Sequence, residues 1–243
     1  VVFAWPKEFE VPAEGRQQNA EFIERGFAGP AARLRYDQWG IRSDIYSFEA
    51  DVIHYPANVG SIFPLHNMVV TIHDMTFFLH PEWYTRERAM YYKWAVARSA
   101  RNAARIIAVS QATKNDIIEI LKIPAEKIEV VNQGADERFA PASEDEKQTA
   151  RAKYKLSDRY VLYYGTIEPR KNHRLLLDVW RDLLARGVPQ DFSFKLVFVG
   201  RAGWKVDELL AEIGDQQRWQ GSVLHLARVD DAALDTLYRG AAF

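Results

Sequence analysis

Arg170 and Lys171 stand side by side in Tyr163-Tyr164-Gly165-Thr166-Ile167-Glu168-Pro169-Arg170-Lys171-Asn172, and this pair is the clearest chemical feature of the sequence. Arg offers a rigid bidentate fork and Lys a compact charge, so together they could neutralise a diphosphate. Two apolar elements must place them. Val161 to Tyr164 reads as a buried parallel strand, and Leu175, Leu176, Leu177, Val179 and Leu183 supply the apolar side of a helix that packs back on it. The cations therefore fall at the carboxyl end of a strand, just before a helix start, where backbone N–H groups and the helix dipole favour phosphate. A solvated basic turn is the alternative.

Other chemistry-bearing residues carry less weight. His73-Asp74 follows the short β-branched run Met68 to Ile72. A neutral imidazole there could hydrogen-bond a sugar hydroxyl or hold a reacting group, or it could cap a loop carbonyl. His54, His66, His80, His173 and His225 show no ligand-like spacing, so no metal site is expected. Gly200-Arg201-Ala202-Gly203-Trp204 could bring backbone close to a ligand, but it also fits an ordinary strand-to-helix turn. No P-loop, no Gly-x-Gly-x-x-Gly fingerprint and no serine nucleophile elbow occur, which counts against an NTPase, a dehydrogenase or a serine hydrolase.

Composition bounds the class. With 243 residues, 48% hydrophobic and 27% charged, the chain has ordinary globular character and is long enough for two domains. A net charge of −1 gives no general reason to expect nucleic acid, so any phosphate recognition must be local. Without cysteine there are no disulfides, thiolate metal sites or thiol nucleophiles, which favours the cytoplasm. The chain opens Val1-Val2-Phe3 and closes on Arg239-Gly240-Ala241-Ala242-Phe243, so missing residues are expected at both ends.

Residues 1 to 48 are broken by Pro6, Pro12, Gly15, Gly26, Gly29 and Pro30, and only Gln17 to Arg25 and Ala31 to Trp39 look helical. From Asp51 the alternation is clear. Strands are expected at 51–55, 68–72, 105–109 and 127–132, with a helix from Tyr84 to Ala103 and another after the N-cap Ser110. In the longer helix Met90, Trp94, Ala97 and Ala100 or Arg101 recur at helical spacing. A domain boundary is expected near Pro141, with residues 1–140 as the first domain, 141–158 as a linker with a surface helix, and 159–243 as the second domain. The second half repeats the pattern with strands 160–164, 194–199 and 222–226 and helices 172–186, 206–213 and 230–240. Strand alternating with helix implies parallel sheets, hence α/β. Two such domains in tandem imply a cleft where ligands bind.

Four ordered motifs carry a resemblance. Val70-Thr71-Ile72-His73-Asp74, Ile107-Ala108-Val109-Ser110, Val130-Val131-Asn132-Gln133-Gly134 and Gly165 to Asn172 together resemble glycosyltransferase family 4, from about Asp51 onward. The resemblance implies a GT-B fold, two Rossmann-like domains with parallel sheets facing a cleft, here incomplete at both ends. It implies a retaining enzyme that moves a hexose from a GDP- or UDP-linked donor to a glycan or lipid-linked acceptor, without metal or other cofactor. The first domain would bind acceptor and the second the nucleotide sugar. His73 matches the histidine that contacts the transferred sugar, Arg170 and Lys171 the pair on the donor diphosphate, and Gly165 the residue that keeps backbone close to it. Arg228 and Val229 match the turn whose backbone meets the base. The Thr166 to Asn172 variant looks most like bacterial mannosyltransferases that build surface polysaccharide.

Two departures stand out: the family's early Gly-rich loop has no counterpart, and its Glu-(seven residues)-Glu motif would lie beyond Phe243. Two other readings stand beside this one: a truncated or degenerate domain that binds nucleotide or a partner without turnover, and a sugar-phosphate synthase or phosphorylase of the same fold. The expected location is cytoplasmic, with peripheral contact at the inner face of the membrane if the acceptor is lipid-linked. No amphipathic basic helix is evident in the sequence to argue for that contact.

Overall fold

The computed structural model describes residues 2–6, 21–134, 142–157, 159–187 and 194–243. They fall into two compact units, Val1–Gln133 and Gly134–Phe243.

In the first unit β1 (Val2–Pro6) pairs in parallel with β2 (Glu21–Arg25). The expected helix over Gln17 to Arg25 is thus corrected over its last five residues, which are strand, while 17–20 lie outside the described residues. The partner strand supplies the ladder hydrogen bonds that outweigh the local helical pattern of this short run. Then come α1 (Pro30–Arg35), a π-helical turn at Tyr36–Gly40 and α2 (Ile41–Ser47), which extend the expected helix at Ala31 to Trp39. This segment is pinned through Asp44, which takes Arg25 Nη2 at 2.6 Å and the Tyr36 hydroxyl.

The main sheet of this unit follows, with β3 (Ile53–Tyr55), β4 (Met68–Ile72), α3 (Thr76–Leu79), α4 (Arg86–Asn102), β5 (Arg105–Ala108), α5 (Gln111–Leu121) and β6 (Ile128–Val130). The strands run in parallel in the order β3-β4-β5-β6. Met68, Val70 and Ile72 are fully buried against Ile106, Ile117 and Val96, and each such side chain contributes roughly 1.5–3 kcal/mol. Ser110 caps α5 as expected, accepting from the Thr113 N–H at 3.1 Å. In α4 the side turned to the sheet is Ala89, Ala95, Val96, Ser99 and Ala100. Small residues allow close approach to the strands, and the Met90 and Trp94 stripe is left on the outside.

The second unit starts with α6 (Glu144–Tyr154), opened by a capping box between Ser143 and Glu146. It continues with β7 (Arg159–Tyr164), α7 (His173–Ala185), β8 (Phe194–Val199), α8 (Asp207–Gly214), β9 (Val223–Leu226) and α9 (Asp231–Gly240). The sheet is parallel, in the order β7-β8-β9. Alternate strand residues point to opposite faces and make two cores. Leu196, Phe198 and Val223 meet Leu177 of α7 and Leu209 and Ile213 of α8. On the other face Tyr160, Val197 and Val199 meet Leu237 of α9. The helix α6 lies against α9, where Arg239 pairs with Glu146 at 3.2 Å. Beyond α9 the chain runs beside β7, with Ala242 N–H donating to Tyr160 O at 2.9 Å and Leu162 N–H to Phe243 O at 2.8 Å. Among the described residues no helix is long and apolar enough to cross a membrane.

Candidate functional site

At the carboxyl end of β7 the chain turns at Gly165, whose φ of 141° lies outside the range most side chains adopt. Its N–H donates to Val199 O at 2.8 Å. The turn after β7 is zipped to the turn after β8, because Ile167 N–H donates to Arg201 O at 2.9 Å and Gly203 N–H to Ile167 O at 2.8 Å. Gly200 is needed here: a Cβ on it would stand 2.1 Å from the Gly165 carbonyl oxygen. The chain then makes a single 3₁₀ turn, Pro169–Lys171, and passes through Asn172 at φ 48° into α7. No side chain caps that helix, and of its first N–H groups that of Leu175 donates to Asn172 O at 3.1 Å.

The turn folds Lys171 back over the strand end. A Cβ placed on Gly165 would lie 2.0 Å from Lys171 Nζ, so the ammonium occupies the space that the absent side chain leaves. Tyr163 holds the turn from below, its hydroxyl donating to the Lys171 carbonyl at 2.5 Å. Arg170 is held differently. Its Nε and Nη2 both reach Glu168 Oε1, at 3.0 and 2.8 Å, and the Glu168 carboxylate is buried. The sequence places two cations side by side; the structure offsets one of them with a carboxylate, leaving Lys171 as the main point charge of the turn.

His173 opens α7 as a buried ring, edge-on to Tyr163 at 4.7 Å between centroids. Burial first, then the Lys171 charge, lowers its pKa to about 4, so the ring is neutral at ordinary pH. It faces the Glu168 carbonyl, yet neither ring nitrogen completes a hydrogen bond. A cavity of about 520 Å³ opens beside this turn, lined by Glu168, Asn172, His173, Arg174, Lys205 and Asp207.

The other expected site residues divide by unit. Arg228 and Val229 follow β9, Arg228 exposed and Val229 packed against the α9-side core. Leu226 O accepts from Gly200 N–H at 3.0 Å, so the ends of β7, β8 and β9 lie in one row. His73 belongs to the first unit, just past β4. Its N–H donates to Asn58 Oδ1 at 2.7 Å, its carbonyl accepts from Thr113 Oγ1 at 3.1 Å, and Nε2 lies 2.8 Å from Pro56 O. A carbonyl only accepts, so Nε2 carries the proton and, in the neutral ring, Nδ1 is an acceptor. Asp74 is turned to its own loop, where it accepts from the Thr76 N–H at 3.0 Å.

Residue type and spacing carry no mark of the supporting roles of Glu168, Tyr163 and His173. Only the position of Glu168, two residues before Arg170, could have pointed to a neutralising pair. Among the described residues no three His, Asp or Glu side chains come together in a way that could hold a metal ion.

Comparison with known proteins agrees with this architecture. The O-antigen chain mannosyltransferase B of Escherichia coli is 30% identical over 210 residues, which is 85% of this chain and 52% of that protein. The alpha-D-kanosaminyltransferase of Streptomyces kanamyceticus is 26% identical over 155 residues, 62% of this chain and 40% of that one. The chain thus spans about half the length of these curated relatives, or less. Among solved structures, Anabaena Alr3699/HepE in complex with UDP and glucose superposes with a TM-score of 0.63 at 17% identity, covering 91% of this chain and 59% of that one. WaaG, a glycosyltransferase involved in lipopolysaccharide biosynthesis, gives 0.62 at 15% identity, covering 93% and 61%. These likenesses establish the fold as that of GT-B glycosyltransferases. A family model described as Glycosyltransferase Family 4 matches residues 1–139, more than half of the sequence, and the chain belongs to that family.

Proposed function

We propose that the protein to which this chain belongs is a retaining glycosyltransferase that moves a hexose, mannose as the best single choice, from a GDP- or UDP-linked donor to a glycan or lipid-linked acceptor. The observation that carries this is the Lys171 ammonium resting on Gly165 at the end of β7, beside Arg170 and the uncapped start of α7. As the glycosidic bond breaks, negative charge grows on the leaving diphosphate. Donors already in place stabilise that charge without having to reorganise. Lys171 supplies a full charge, Arg170 its remaining N–H groups, and α7 its first backbone N–H groups. The acceptor hydroxyl attacks from the face the diphosphate leaves, and its proton passes to the departing phosphate oxygen as the new C–O bond forms, giving retention. His73, with Nε2 committed to Pro56 O, offers Nδ1 to a hydroxyl of the transferred sugar. Arg228 and Val229 would meet the base through their backbone, and no cofactor is invoked. Similarity to an O-antigen mannosyltransferase supports the choice of mannose and of a glycan acceptor, and neighbours solved with UDP and UDP-glucose support a nucleotide-sugar donor.

The test uses the full-length protein with GDP-mannose and a panel of UDP-sugars, product detection by mass, and NMR of the new linkage. A retained anomeric configuration and a fall in kcat/KM of at least ~10²-fold in Lys171→Ala are expected, the range for a lost transition-state charge contact. Wild-type kinetics in Lys171→Ala would remove the phosphate role. An inverted product would remove the retaining mechanism. Nucleotide binding with no product from any donor would favour a non-catalytic domain.

A further inference from the structure

The cavity of about 520 Å³ lies between the starts of α7 and α8 and has walls of its own. Among the described residues, neither Gly165 nor Lys171 nor the turn at Arg228 lines it. Its floor is apolar: Val206 is 4% exposed and Leu209 9%, with Pro169 beside them. Its inner wall includes His173, 1% exposed and neutral, and neither of its ring nitrogens has a hydrogen-bond partner. A buried polar group left in that state costs free energy that a partner entering the cavity would recover. The exposed rim carries Asn172, Lys205, Asp207 and Glu208. Two further charged groups are already engaged, since Arg174 pairs with Glu212 at 2.9 Å and Glu168 with Arg170 at 2.8 Å. An anion in this cavity would meet the carboxylates of Asp207 and Glu208, and a cation would meet Lys205 and Arg174. Among the described residues no cluster suits a metal ion. A hydroxyl suits such mixed walls, because it both donates and accepts: carboxylates take its proton, Lys and Arg donate to its oxygen, and a neutral imidazole offers one of each.

We propose that this cavity is a second sugar site, separate from the diphosphate turn, which holds a hexose ring of a glycan. Asp207 and Glu208 accept from ring hydroxyls, Asn172 and His173 meet others, and Val206 and Leu209 lie under the apolar C–H face. The volume is in the range of small-molecule pockets and admits roughly one or two pyranose rings. Both His173 nitrogens are closed off from solvent, so the sugar reaches them through a small shift of the Pro169–Asn172 turn. The inference rests on the glycan-acceptor side of the proposed function for its purpose: a second hold on the acceptor chain raises its effective concentration at the reacting end and keeps it from leaving between transfers.

The test titrates methyl α-mannopyranoside and a linear mannotriose into full-length protein carrying nitrogen-15 histidine. The His173 ring signals, assigned by their loss in His173→Phe, are expected to move and saturate with either sugar, at about 1 mM for the monosaccharide. Asp207→Ala with Glu208→Ala should weaken sugar binding at least ~10-fold by removing charged acceptors, while affinity for inorganic pyrophosphate stays within about twofold. Should that pair of changes unfold the start of α8, Asp207→Asn with Glu208→Gln keeps the shape and should still weaken sugar binding at least ~3-fold. In Lys171→Ala the pattern reverses: pyrophosphate affinity falls and sugar affinity stays. Unmoved His173 signals, wild-type sugar affinity in the folded carboxylate variants, or loss of sugar binding in Lys171→Ala would each overturn the proposal. Pyrophosphate that competes with the sugar would make the cavity part of the anion site and overturn it as well. Hexose transfer by a protein whose His173 signals ignore the sugars removes this site alone, and sugar binding here by a protein that transfers nothing removes the catalytic reading alone.

Discussion

Gly165→Ala should disarm the anion site while leaving the protein folded. An added Cβ would lie 2.0 Å from Lys171 Nζ, 3.1 Å from Cε and 3.3 Å from Cδ. The colliding group is the free end of a flexible side chain, so the ammonium moves away and the backbone stays. The conformational cost comes from the φ of 141°, about 1–3 kcal/mol for a residue other than glycine. The functional cost is the displaced cation. A hydrogen bond from a charged group contributes about 1.5–3 kcal/mol, so diphosphate affinity should fall about 10- to 150-fold, much as in Lys171→Ala. Both changes remove one interaction, so they must not add. In the double variant the clash partner is gone, and affinity should stay within about threefold of Lys171→Ala alone. Calorimetric titration of full-length variants with GDP and UDP reads the affinities, and urea unfolding reads the stability. Wild-type affinity in Gly165→Ala would refute the placing of Lys171, and fully additive losses would show that the two residues act through different contacts.

Three further outcomes follow from the same turn. His173 is held near a pKa of about 4 by burial first and the Lys171 charge second, against an ordinary value of 6.5. Nothing is lost above about pH 6.5; as pH falls toward 4 the unfolded chain takes up a proton that the folded form refuses, costing about 2–3 kcal/mol by about pH 4.5. Urea midpoints at about pH 7 and 4.5 should differ less in His173→Phe than in the wild type, and an equal difference would contradict the buried neutral ring. Gly200→Ala should be worse for folding than Gly165→Ala, by at least about 2 kcal/mol, because its Cβ would meet the Gly165 carbonyl oxygen at 2.1 Å and backbone cannot step aside; a smaller loss of melting temperature than in Gly165→Ala would count against this. Asn172 sits at φ 48°, so Asn172→Gly should cost little while Asn172→Val costs about 1–2 kcal/mol by thermal unfolding, and equal stability of the two would mean the left-handed turn is not kept in solution.

The regular part of this fold was legible because parallel strands buried on both faces leave continuous apolar runs. Met68 to Ile72 and Phe194 to Val199 needed no more than their own composition. The helix cap at Ser110 was equally plain, since its side chain accepts from the N–H three residues on. In α4 the expected stripe divides: helical spacing joins Met90, Trp94, Ala97 and Ala100 or Arg101 but does not say which part meets the sheet, and Ala100 is buried and Ala97 packs on the core while Met90 and Trp94 stay exposed. At the site, the sequence marks cations by type and place, while Glu168 could be recognised as the partner of Arg170 only from the 3₁₀ turn that brings them together. Glu21–Arg25 was missed for another reason: its ladder partner lies far back in the chain, and pairing of that kind has no local mark.

The hydrogen bonds that tie residues 242–243 to Tyr160 and Leu162 give β7 neighbours on both edges. The helices α7 and α8 cover one face of the sheet and α9 the other, so the direction of winding reverses at this strand. Connections leaving on opposite sides cannot close over the strand between them, and a crevice opens there as a consequence of topology. Gly165 and Lys171 stand at that opening, so the position of the Lys171 charge at the mouth of the sheet is set by the order in which the strands are laid down.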